Sequence, residues 1–139
     1  ELCRQFWRGV INESTKQGGL HSNKAPSAYN WIGVKVNGYS FNFSITKETS
    51  SIELYIDKGD NNKNTAILAK IQSQQEAVEK AFGHVLLWEP IEGKRACRIR
   101  YVITSAGYKL PKEKWPAHHE KVVALMDQFE KSITPALPT

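Results

Sequence analysis

Four basic side chains fall in the seven-residue stretch KRACRIR: Lys94, Arg95, Arg98 and Arg100. Arg98 and Arg100 alternate with Cys97, Ile99 and Tyr101, so a strand puts both guanidiniums on one face, about 7 Å apart. Two guanidiniums at that spacing suit two successive phosphates or one carboxylate-rich surface, because each presents a planar fork of N–H donors that matches an oxyanion. A plainer role fits the same pattern, with both arginines laid over an open sheet face and paired with Glu53 and Asp57 across strands. Both readings stand at this level.

The remaining reactive side chains offer less. His118-His119-Glu120 superficially suggests a metal, but adjacent histidines on a helix point about 100° apart, and neither HExxH nor an i,i+4 partner is present. These residues are expected on the exposed start of a helix. His84 follows Gly83 and is expected to belong to a helix cap, while His21 lies in a polar loop with no evident partner. DKGDNN at 57–62 lacks the ligand order and the bidentate glutamate of a calcium loop, and reads as a turn plus helix cap. No G-x-S-x-G elbow occurs. Cys3 and Cys97 are far apart and form no CxxC, so Cys97 is expected as a buried free thiol in a reducing, cytoplasmic setting. No metal or cofactor is expected.

The elements that must position these groups are legible. Leu2, Cys3, Phe6, Trp7, Val10 and Ile11 share one side of an opening helix that stops at Gly18-Gly19. Gly9 inside it costs roughly 1 kcal/mol against alanine, which a close helix–sheet contact would explain. Residues 29–36 alternate as a strand, Asn37-Gly38 is a strong hairpin signal, and Tyr39, Phe41, Phe43 and Ile45 answer it. Ile52, Leu54 and Ile56 mark a third strand. From about Lys63, Ile67, Leu68, Ile71, Val78 and Phe82 recur at helical spacing, predicting one long helix that ends at Gly83. Residues 85–89 and 96–104 form a second hairpin about Pro90–Lys94. Trp115-Pro116 opens a last helix with the stripe Val122, Leu125, Met126, Phe129 and Ile133, and Pro135 and Pro138 suggest a frayed tail.

The order α-β-β-β-α-β-β-α predicts an α+β fold: a five-stranded antiparallel sheet with helices mainly on one face. One domain is expected over 1–134, with a short tail at 135–139. The other sheet face would carry Trp31, Lys35, Glu53, Tyr55, Asp57, Arg98 and Arg100. There Trp31 and Tyr55 could stack a base beside the basic cluster and Lys35.

With 40% hydrophobic and 24% charged residues, the chain has the composition of an ordinary globular domain, without an apolar run long enough to span a membrane. A net charge of +5 permits an acidic partner such as DNA without requiring one. The chain opens on Glu1 without Met, which suggests a piece of a longer protein.

The order of elements resembles that of the PD-(D/E)xK nucleases. Their chemistry needs an Asp and a Glu-x-Lys pair converging on a metal. Here Lys58 follows Asp57 directly, pointing to the other face, and neither preceding strand holds an Asp, so that activity is rejected. A closer resemblance rests on several phrases together: Phe6-Trp7, IELYIDKGDNNKN, EKAFG, LLWEP, RACRIRY and Trp115-Pro116. They are similar to a prokaryotic family catalogued as a domain of unknown function, met at the C-terminus of larger proteins, some resembling restriction-type defence nucleases. The resemblance implies an accessory module beside an effector domain of the same protein and brings no catalytic residues with it. The expected function is therefore a non-enzymatic contact with nucleic acid through the basic-aromatic face. A protein-interaction or homodimerisation module is the alternative.

Overall fold

A computed structural model describes residues 1–138. Helix α1 (Leu2–Gln17) is followed by strands β1 (Trp31–Val36), β2 (Tyr39–Ile45) and β3 (Thr49–Ile56), then helices α2 (Asn61–Gln72) and α3 (Gln75–Phe82). Strands β4 (Leu87–Pro90) and β5 (Cys97–Thr104) and helix α4 (Trp115–Ile133) complete the chain. The five strands pair antiparallel in the order β1-β2-β3-β5-β4, so the α2–α3 crossover carries β4 to the edge and the second hairpin returns β5 to β3. The fold is the expected α+β sheet.

Strand periodicity sorts the side chains. Phe41, Phe43, Ile52, Leu54, Ile56 and Ile99 are all buried against the helices, each contributing roughly 1.5–3 kcal/mol of apolar transfer. The predicted single long helix is two. Gln72–Gln75 holds no apolar side chain to anchor a turn, and the Ser73 hydroxyl donates to the Lys70 carbonyl at 2.6 Å, competing with the helical ladder. The apolar stripe survives the break because Ile71 and Val78 are two turns apart, and both are buried. The edge strand starts later than expected: Val85 is exposed and Leu86 buried before pairing begins at Leu87.

Helices α1 and α4 meet at Phe6, whose ring stands edge-on to Trp115 at 5.1 Å and to His119 at 4.7 Å between centroids. Gly9 therefore answers to α4 and not to the sheet: a Cβ there would lie 2.5 Å from His119 Cδ2 and 2.6 Å from its Nε2. Gly9→Ala should destabilise despite better helix propensity, by roughly 1–2 kcal/mol, because a buried ring must shift. Thermal unfolding of the variant checks this, and an unchanged or higher Tm would refute the contact.

The histidines depart most from expectation. His118 and His119 are buried, at 8% and 4% exposure, instead of lying on the helix surface. His118 Nε2 meets the Ser50 hydroxyl at 2.9 Å, and the two Nδ1 atoms meet at 3.1 Å. His21 is fully buried, packs on Phe43 and contacts the Phe41 carbonyl through Nε2 at 3.0 Å. His84 remains exposed beyond the Gly83 cap, its ring tilted against Tyr101. Where the prolines suggest fraying, Thr134–Ala136 forms a 3-10 turn, Ala136 is buried, and the Tyr39 hydroxyl donates to the Pro138 carbonyl at 3.3 Å. Thr139 lies outside the described residues. Among those described, no helix is long and apolar enough to cross a membrane.

Candidate nucleic-acid interface

Register, more than sequence distance, assembles the open face of the sheet. Cross-strand pairing lays Lys35, Ser40, Tyr55, Arg98 and Glu89 in one row and Gly33, Asn42, Glu53, Arg100 and Leu87 in the next. A third row holds Trp31, Ser44, Ser51 and Val102. Together with Lys94 and Arg95 from the β4–β5 loop, these rows, apart from Gly33, Leu87 and Glu89, line a concavity of about 790 Å³. All seven residues singled out in the sequence border it: Trp31, Lys35, Tyr55, Lys94, Arg95, Arg98 and Arg100.

The ion pairs differ from those expected. Arg98 and Arg100 do not pair with Glu53 and Asp57. Both donate through Nε to the same oxygen of Glu89, at 2.6 and 2.7 Å. The cause is the strand order: β4 flanks β5 on the side away from β3 and sets Glu89 opposite Arg98, one row from Arg100. Partial burial pushes the Glu89 carboxyl up, but hydrogen bonds and charge from both arginines outweigh it and hold the group below its usual range. One carboxylate thus serves two guanidiniums. Only the Nε donors are engaged, leaving the terminal Nη groups without a hydrogen bond among the described residues. The observed hairpin is centred between Gly93 and Lys94, which sets Glu89 opposite Arg98; the turn expected about Pro90–Lys94 has a different centre and does not give that pair.

Asp57 instead takes Arg95, at 3.0 Å. The Gly59 backbone N–H, and after it the Asn64 amide and the Arg95 guanidinium, hold the Asp57 carboxyl below its usual range against the effect of desolvation. Asn64, fully buried, ties this corner together. Its Oδ1 accepts the Lys58 backbone N–H at 2.7 Å, and its Nδ2 donates to Asp57 Oδ1 at 3.2 Å and to the Arg95 carbonyl at 3.1 Å. Asn64→Ala should cost roughly 2–3 kcal/mol by orphaning these groups and loosen the loop bearing Lys94 and Arg95. Chemical denaturation checks the first effect and hydrogen exchange of the loop the second; full stability in the variant would show the corner to be dispensable.

The burial of two floor residues was not legible in the sequence. Asn42 and Glu53 are 6% and 8% exposed although they lie on the open face. The Ser40 hydroxyl donates to Asn42 Oδ1 at 2.6 Å, and Asn42 Nδ2 donates to Glu53 Oε2 at 3.1 Å. Gly33 makes room, because a Cβ there would overlap the Asn42 side chain. At the rim Trp31 is 50% exposed, and Tyr55 is half-buried between Ser40 and Arg98. Five cations and two carboxylates, Glu53 and Asp57, line the concavity, so its balance is positive even with Glu89 counted beside it.

The profile of one family, described as Domain of unknown function (DUF4268), matches residues 2–137. The chain belongs to that family. The match spans every element from α1 to α4, so the open face is part of the family's domain. Neither curated proteins nor solved structures provide a match.

Proposed function

We propose that this DUF4268 domain is a non-enzymatic accessory module of a prokaryotic, DNA-associated protein of the restriction or host-defence kind, and that its open sheet face contacts nucleic acid. The observation that carries the proposal is the pair of arginines sharing Glu89: two adjacent guanidiniums retain free Nη donors in one concavity with an exposed tryptophan and a half-buried tyrosine. Phosphates would meet the guanidiniums and Lys35, while unstacked bases would lie on Trp31 and Tyr55. A single strand suits this floor better than a duplex, whose stacked bases could not reach Tyr55. The accessory role and the setting rest on the resemblance of the motifs.

Fluorescence anisotropy with labelled single- and double-stranded DNA at two salt concentrations tests the reading. Binding to the single strand that weakens steeply with salt is expected. Absence of binding at low salt would sink it. The exposure of Trp31, Val85 and Leu87 at the two sheet edges favours a self-association module as second reading. A mass that rises with concentration, without affinity for DNA, would establish that alternative.

A further inference from the structure

The Glu53 carboxyl group takes part in one of the contacts described so far, the bond from Asn42. It lies at the centre of the open face, more than nine-tenths buried, and lines the concavity. Arg100 stands directly opposite it on β5, yet that guanidinium is drawn to Glu89, and Glu53 forms no ion pair among the described residues. Its Oε2 accepts one hydrogen bond, from Asn42, and its Oε1 accepts none there. Asn42 is itself held by Ser40 and given room by Gly33. Two side chains and one missing Cβ therefore orient a carboxyl group whose Oε1 no described residue uses. Unlike His21 Nδ1 and His119 Nε2, Oε1 is not sealed off from solvent; it opens to the concavity, where an outside donor can reach it.

The chemistry of that donor follows from position. Tyr55 is two residues along β3 on the same face, about 7 Å away, so a base stacked on its ring brings its edge to Glu53. Guanine alone among the bases presents two adjacent donors, N1–H and the exocyclic N2 amino group, on its Watson–Crick edge. Cytosine and adenine set an acceptor nitrogen beside their amino group, and thymine flanks its one N–H with two carbonyls, so each would also turn a lone pair toward the carboxylate. We propose that Glu53, positioned by Asn42, is a specificity-determining acceptor for an unstacked guanine on the open face; this rests on the nucleic-acid reading above.

The test measures anisotropy for short oligothymidylates carrying one central guanine, inosine, adenine, cytosine or thymine, with the unaltered domain and with Glu53→Gln. A preference for guanine of about tenfold is expected, the discrimination of one good paired contact. Inosine, which lacks the N2 amino group, should lose most of it without any change in the protein. Glu53→Gln should bind all strands alike, with its salt dependence intact. Equal affinity of the unaltered domain for every strand would overturn the role of Glu53 while leaving nucleic-acid binding in place. A guanine preference that survives both inosine and Glu53→Gln would also overturn it, by placing the selectivity elsewhere. No binding to any strand would remove this proposal together with the reading it rests on.

Discussion

Alanine at both Arg98 and Arg100 is expected to weaken single-strand binding about a hundredfold. Each arginine would supply a charge-assisted hydrogen bond to a phosphate, worth roughly 1.5–3 kcal/mol, and about 1.4 kcal/mol is a factor of ten. The salt dependence should change with it: losing two phosphate contacts lowers the slope of log affinity against log salt by about 1.4 on a single strand. The fold should survive, because both side chains lie on the open face and Glu89 is exposed enough to be hydrated once its partners go. Glu89→Gln acts in the opposite sense. It frees both guanidiniums of their shared counter-charge, and affinity should rise several-fold. Titration of both variants at two salt concentrations checks the pair of signs. Unchanged affinity in the double arginine variant would remove the face from nucleic-acid binding, and weaker binding by Glu89→Gln would mean that Glu89 orients the arginines more than it neutralises them.

The second large effect is loss of stability in mild acid. Burial pushes His21, His118 and His119 each down to about 4, with neighbouring Lys24 acting in the same direction on His21, Lys121 on His118, and His118 on His119. In the unfolded chain the same groups titrate near 6.5. Between these values the unfolded state binds more protons, so stability is complete above about pH 6.5, falls as pH drops through 6.5 toward 4, and levels off below. At pH 5 the cost is about 2 kcal/mol per histidine, with the adjacent pair counting for less than two independent groups. That is a large share of the 5–15 kcal/mol typical of a domain.

Local geometry gives the same sign. The least costly arrangement has His119 Nδ1–H donating to His118 Nδ1 and His118 Nε2–H donating to Ser50, leaving His119 Nε2 as a bare acceptor beside Gly9. A proton added to His118 would set two N–H donors against each other. Urea unfolding at pH 7 and pH 5 checks the effect, and His118→Gln should flatten the dependence. Equal stability at the two pH values would show that these histidines titrate normally and lie open to water.

The alternation of Phe41, Phe43 and Ile45 with Ser40, Asn42 and Ser44, the Asn37-Gly38 turn and the glycine stops carried the element order and the division of the sheet into an apolar and an open face. Strand period and turn chemistry are local, and they act the same way whatever the strand's neighbours. The basic and aromatic candidates were legible for that reason. Local pattern does not say how the second hairpin docks on the first three strands, nor its register. Placing β4 outside β5 gave Arg98 and Arg100 to Glu89, left Glu53 without a cation, and committed Arg95 to Asp57. The histidines show the same divide between helices. A polar run at the start of α4 reads as exposed until α1 is laid against it, with Gly9 providing the space that buries His119. The sequence by itself determined the elements and their two faces, because those depend on residues a few positions apart. Only the tertiary structure decided which charges are paired and which polar groups are buried, because those depend on contacts between segments far apart in the chain.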